Sequence, residues 1–114
     1  MVDKNDRFKC SCCGQNMMDP RVIHYIEVIE EELKQTLVVT SGYRCEKHNL
    51  KEGGSKTSSH LKGLAVDLKC AASRLRFQIM RIAIRLGITR IGIGKTFLHL
   101  DIDRQKDQEV SWLY

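Results

Sequence analysis

A single proline and only eight glycines among 114 residues exclude collagen-like and proline-rich classes. No apolar run exceeds a few residues, so no transmembrane helix and no membrane insertion are expected. No charged-then-apolar leader opens the chain: Met1 runs into Val2-Asp3-Lys4-Asn5-Asp6-Arg7, which predicts synthesis in the cytoplasm without a signal peptide. Internal repeats and low-complexity tracts are also missing. Lys and Arg number 19 against 14 Asp and Glu, a formal charge of +5. Yet there is no run of five or more basic residues and no aromatic interleaving, so the excess reads as a solvated basic surface and no nucleic-acid partner is expected. Five cysteines, an odd number, argue against a full disulfide framework and for reduced thiols or a metal site. What is present is ordinary for a globular chain: 42% hydrophobic and 29% charged residues, which exclude disorder. The length predicts one domain, residues 1–114, around a modest core.

Residues 1–18 are polar and hold Cys10, Cys12 and Cys13, followed by Gly14. Asp19-Pro20 reads as an N-cap with proline in the first helical position, and Val22, Ile23, Ile26, Ile29 and Leu33 predict an amphipathic helix over about 20–35. Leu37-Val38-Val39-Thr40 predicts a strand, and the polar stretch from Ser41 to Ser59 a long irregular loop of the kind that carries function. A second strand is expected over Leu64–Leu68, with Leu64, Val66 and Leu68 on one face and Ala65 and Asp67 on the other. Ser73 is expected to cap a second helix, with Leu75, Ile79, Ile82, Ala83 and Leu86 inward, Arg74, Arg81 and Arg85 outward, and Gly87 past its end. Ile91–Gly94 and Phe97–Ile102 read as the arms of a hairpin. The predicted architecture is α+β: a small antiparallel sheet with helices packed on one side.

Two places set metal-ligating side chains on strands or at their edges. In Ser58-Ser59-His60-Leu61-Lys62-Gly63-Leu64-Ala65-Val66-Asp67, His60 ends the loop and Asp67 lies on the polar strand face. In His99-Leu100-Asp101, alternation puts His99 and Asp101 on one face. Two histidines and a carboxylate, with water in the fourth position, constitute a catalytic zinc site, which activates water and polarises the carbonyl under attack. Gly63 and Ala65 fit, because small residues let backbone pass close to a metal. A His and an Asp seven residues apart are common by chance, however, so the spacing alone is weak.

The pattern Ser58-x-His60-x-x-Gly63-x-Ala65-x-Asp67 resembles the signature of the zinc D-alanyl-D-alanine carboxypeptidases and their endopeptidase relatives. That family cuts peptidoglycan stem peptides and shares its fold with the hedgehog signalling domain. Further features are similar to its short, often phage-borne members: Phe8-x-Cys10 with Cys13-Gly14, Ser41-Gly42-Tyr43-Arg44-Cys45, His48-Asn49, Gly53-Gly54, His99-x-Asp101 and Trp112-x-Tyr114. The resemblance spans nearly the whole chain in order. It implies that His60, Asp67 and His99 bind Zn2+ and that Arg44 pairs with the substrate's terminal carboxylate or with its carbonyl oxygen as charge develops. It implies that Ser58 steadies His60 or the loop beside the substrate, and that Trp112 and Tyr114 either wall the cleft or close the core.

One departure stands out. Many relatives carry a glutamate three residues before the last zinc histidine as general base, and here that position is Thr96. Asp101, on the His99 face, either takes the water's proton or orients a ligand, and Asp103 would share that face if the strand continued. Cys10-x-x-Cys13 is half of a structural zinc site that Cys45 and Cys70 would complete; alternatively an N-terminal cysteine pairs with Cys45, or the thiols are free. His24 and His48 have no partner at ligand spacing. The expected activity is hydrolysis of a peptide bond in peptidoglycan by a monomer, as carboxypeptidase or endopeptidase. It would act as an endolysin on the cell wall after release through a holin or from a phage particle. The alternative is a zinc-binding interaction module of the same fold without turnover.

Overall fold

Two amphipathic helices supply one half of the core. The computed structural model of the chain describes residues 4–114, so the reading of Met1-Val2-Asp3 as a chain start without a signal peptide lies outside the described residues. A 3₁₀ turn, Lys4–Phe8, precedes helix α1, Pro20–Leu33. Asp19 caps α1 by accepting the Arg21 amide at 2.8 Å, Pro20 gives up a donor that would go unused, and Lys34 closes the far end in the left-handed conformation. Val22, Ile26 and Ile29 recur at helical spacing and are buried. In helix α3, Ser73–Leu86, the same spacing buries Ile79, Ile82 and Ala83, and Gly87 ends it at a φ of 95°. Its cap is Ala72, with no side-chain bond, so Ser73 is the first helical residue rather than the cap. Among the outward arginines of α3, Arg85 pairs with Glu32 of α1.

The other half is a five-stranded sheet: β1, Val39–Ser41; β2, Ala65–Lys69; β3, Arg90–Ile93; β4, Phe97–Asp101; and β5, Val110–Leu113. Their spatial order is β1-β2-β4-β3-β5. Alternation sends Val66, Leu68, Leu98, Leu100 and Ile91 toward the helices, where they join Ile26, Ile29, Ile79 and Ile82 in one buried cluster. The fold is α+β, as the sequence predicts. The sheet differs from the expected all-antiparallel one at one edge, where β5 runs parallel to β3. The chain crosses from β4 to β5 through residues 102–109, which carry it round to the far side of β3.

The predicted irregular loop contains a short helix, α2, Glu46–Lys51, capped by the Cys45 sulfur, which accepts the His48 amide at 3.4 Å. No helix among the described residues is long and apolar enough to cross a membrane.

Register decides what the outer face of the sheet carries. Ser41 lies opposite Asp67, Asp67 opposite His99, His99 opposite Gly92, and Gly92 opposite Trp112. A second row runs Ala65, Asp101, Arg90, Val110. The helices cover the other face, so both rows remain for polar work.

Candidate metal centre

His60, Asp67 and His99 converge: one ligand atom from each lies within 4.8 Å of the others, and all three side chains are buried. Asp67 and His99 are brought together by cross-strand pairing, with Nδ1 of His99 2.9 Å from Oδ1 of Asp67. His60 comes from the turn before β2, and its Nε2 is 3.4 Å from the same oxygen. The turn is closed by Gly63, at a φ of 70°, whose amide donates to the His60 carbonyl at 3.2 Å. A Cβ at Gly63 would run into the Met17 carbonyl, and the Gly63 carbonyl accepts the Asp19 amide. Gly63 is therefore required by the left-handed backbone and by the segment leading into α1, not by closeness to a metal.

Both rings are oriented from behind. The other nitrogen of His60, Nδ1, is 2.8 Å from the Gly42 carbonyl, which can only accept, so that nitrogen carries the proton and Nε2 faces Asp67. His99 turns Nε2 to Oδ2 of Asp101 at 2.7 Å, leaving Nδ1 toward Asp67. Asp101 is 2% exposed. Its second oxygen accepts Nε of Arg90 at 2.7 Å and the Asp103 amide at 3.2 Å. Of the two tasks the sequence leaves open for Asp101, this position matches support of a ligand.

Burial works against charge on Asp67, but hydrogen bonds and charge from His60 and His99 overcome it and hold the carboxyl well below the ordinary carboxylate range. Burial likewise disfavours ionised Asp101, and His99, the Asp103 amide and Arg90 more than compensate. For His99, burial lowers proton affinity, yet Asp101 and Asp67 together raise it above the usual histidine value. Both carboxylates are thus held ionised, the state in which Asp67 can ligate a cation. Ligands 2.0–2.1 Å from a tetrahedral zinc sit about 3.4 Å apart, close to the 2.9 and 3.4 Å found here. The donor set fits zinc.

Arg44 lies beside the cluster, with Nη2 3.3 Å from Oδ2 of Asp67 and Nε 2.8 Å from the Ser41 hydroxyl. Those contacts use two of its five N–H donors. The Ser58 hydroxyl accepts the His60 amide at 3.3 Å and so steadies the turn. Trp112 reaches across Gly92 to the His99 ring, with centroids 5.4 Å apart, while Arg90 lies over the indole at 5.0 Å. Tyr114 is more exposed and packs on Phe97 at 4.9 Å. Both aromatics border the cluster on the outer face.

Asp103 is not in this group. Strand β4 stops at Asp101, and the buried Asp103 carboxylate takes Lys62 at 2.9 Å and the Ser59 hydroxyl at 2.8 Å. Three neighbours of the cluster are not expected from the sequence: the Gly42 carbonyl, Arg90 and Gly92. Gly92 falls on the outer face by alternation within the expected Ile91–Gly94 strand, and Arg90 joins that face because β3 begins one residue earlier. A backbone acceptor such as Gly42 leaves no signal in the sequence.

The family model for peptidase M15, the zinc D-alanyl-D-alanine carboxypeptidase family, matches residues 3–103. No curated protein matches the chain.

Proposed function

Because the chain belongs to the peptidase M15 family, we propose that it is a zinc-dependent hydrolase of a peptide bond in peptidoglycan stem peptides or cross-links. Membership supports a metallopeptidase; on that basis we propose carboxypeptidase or endopeptidase action on the wall. The observation that carries it is the convergence of His60, Asp67 and His99, each with its orientation already fixed.

His60 would hold the metal through Nε2, His99 through Nδ1 and Asp67 through Oδ1. A bound zinc lowers the pKa of water to about 7 and polarises a carbonyl. The chain supplies the rest. The Gly42 carbonyl and the Asp101 carboxylate fix the tautomers, so the ligating nitrogens carry lone pairs rather than protons. Arg44, held at Nε and Nη2, presents its remaining donors to a substrate carboxylate or to a carbonyl oxygen gaining charge. Trp112 and Tyr114 limit water on the far side of His99 and offer flat surfaces to a peptide. We place its action at the cell wall.

The test is to incubate purified protein with muropeptides and read the products by mass spectrometry, beside His60→Ala. Cleavage by wild type alone is the expected result, and the masses identify the bond. Thr96, where many relatives have an acid, favours a second proposal of a zinc-binding module without turnover. Full zinc content with no product from any muropeptide would establish it.

A further inference from the structure

On the other side of Gly42 lies a second cluster of soft ligands. Cys10 is buried, and its sulfur is 3.7 Å from that of Cys45 and 3.3 Å from Nδ1 of His48. One sulfur each from Cys10, Cys13 and Cys45 lies within 4.8 Å of the others. We infer that Cys10, Cys13, Cys45 and His48 form a second metal site, structural and suited to zinc, which clamps the N-terminal segment onto the loop that feeds the first site.

The chemistry of each ligand agrees. Two thiolates on a tetrahedral zinc, each at 2.3 Å, are separated by about 3.8 Å. The Cys10–Cys45 separation of 3.7 Å matches this and is far beyond the length of a disulfide bond. Cys10 and Cys13 have the two-residue spacing of a zinc knuckle, and their turn is closed by the Gly14 amide on the Cys10 carbonyl at 2.8 Å and the Cys10 amide on the Gln15 carbonyl at 2.7 Å. Gly14 takes the positive φ, 76°, that such a turn requires. Cys45 and His48 are three residues apart at the start of α2, which puts them on one side of the helix. The Nε2 of His48 is 3.3 Å from Oε1 of Glu52. A carboxylate on that nitrogen fixes the proton there and leaves Nδ1 for a metal, the same arrangement that Asp101 gives His99. Cys70 takes no part: it is buried in the core, and its sulfur faces the Ala72 carbonyl.

The two sites are joined through Gly42. A Cβ there would meet the Phe8 carbonyl oxygen at 2.5 Å, and the Tyr43 amide donates to the same oxygen at 2.8 Å. The segment that carries Cys10 thus lies directly on the residue whose carbonyl orients His60.

Elemental analysis of protein purified under reducing conditions tests the inference, and it is independent of whether the chain cleaves anything. Wild type should carry two zinc ions per chain, His60→Ala one and Cys13→Ser one. Cys13 is exposed, so its serine variant should fold; Cys12→Ser should keep both ions. With cobalt in place of zinc, the sulfur-to-metal charge-transfer band should persist in His60→Ala and fall in Cys13→Ser. One zinc in wild type that survives in Cys13→Ser and vanishes in His60→Ala would overturn the inference. So would an intact mass two hydrogens low with Cys10 and Cys45 joined in the peptide map. One zinc that survives in His60→Ala and is lost in Cys13→Ser would keep the second site and remove the first.

Discussion

Replacing Asp101 by Asn separates two tasks that a carboxylate can perform beside a zinc ligand. Asp101 receives His99 Nε2 on one oxygen, at 2.7 Å, and Arg90 Nε on the other, also at 2.7 Å. An asparagine has one acceptor and one donor end. If its NH₂ faces Arg90, two donors oppose each other. If it faces His99, that ring must accept at Nε2 and move its proton to Nδ1, the nitrogen turned toward Asp67. A protonated Nδ1 cannot ligate. Loss of such an outer carboxylate typically lowers metal affinity 10- to 100-fold, or about 1.4–2.8 kcal/mol. The unfilled hydrogen bonds should lower stability by a further ~1–3 kcal/mol, since both partners are buried. Zinc affinity is read by competition with a chromogenic chelator, stability by denaturant melts, and turnover on muropeptides at zinc concentrations that saturate the variant. The expectation is weaker zinc binding, with kcat within a few-fold of wild type once zinc saturates. Unchanged zinc affinity with a rate down by two to four orders of magnitude would refute the reasoning and make Asp101 the proton acceptor.

Arg44→Ala should lower turnover by about a hundredfold or more while zinc content holds, because it removes a positive charge next to Asp67; activity within a few-fold of wild type would reduce Arg44 to a structural ion pair. Gly92→Ala would set a Cβ 2.6 Å from Tyr114 Cε2 and 2.7 Å from Trp112 Nε1, so it should displace the aromatic wall and raise KM more than it lowers the melting temperature. Lys62→Met should move the acid-unfolding midpoint to higher pH. Burial raises the Asp103 pKa, but Lys62 and Ser59 hold it below its ordinary value, so its contribution to stability is complete above about pH 4 and is lost as pH falls through the folded value. An unchanged midpoint would show that Ser59 and the Gln105 amide suffice.

The outer-face position of the candidate ligands was legible because strand alternation is a local property. Once Leu98 and Leu100 are assigned to the core, His99 and Asp101 must share the other face, and the same holds for Asp67 between Val66 and Leu68. What failed depended on partners distant in sequence. Cys45 does stand at ligand spacing from His48, but the pair has no partners until folding brings in Cys10, 38 residues from His48. Strand β5 is a four-residue edge strand with only partial burial, placed by parallel pairing that no local pattern encodes. Helix α2 has six residues and buries only Asn49, so it shows no apolar periodicity to read.

The charges on the outer face are arranged in pairs before any metal is considered. Arg44 answers Asp67 and Arg90 answers Asp101, and all four side chains are at least four-fifths buried. Burying a lone carboxylate would be strongly unfavourable, and a buried pair is tolerated when its remaining lone pairs are also satisfied. The Asp103 amide and the two histidines do this. With both carboxylates already neutralised by arginines, a divalent cation held at the proposed site leaves the centre net positive. That is the sign needed beside a carbonyl oxygen that gains charge under attack. A site whose carboxylates had to neutralise the metal themselves would lack it. The arginines therefore allow the candidate ligands to be buried, and at the proposed site they would keep a metal's charge available to substrate.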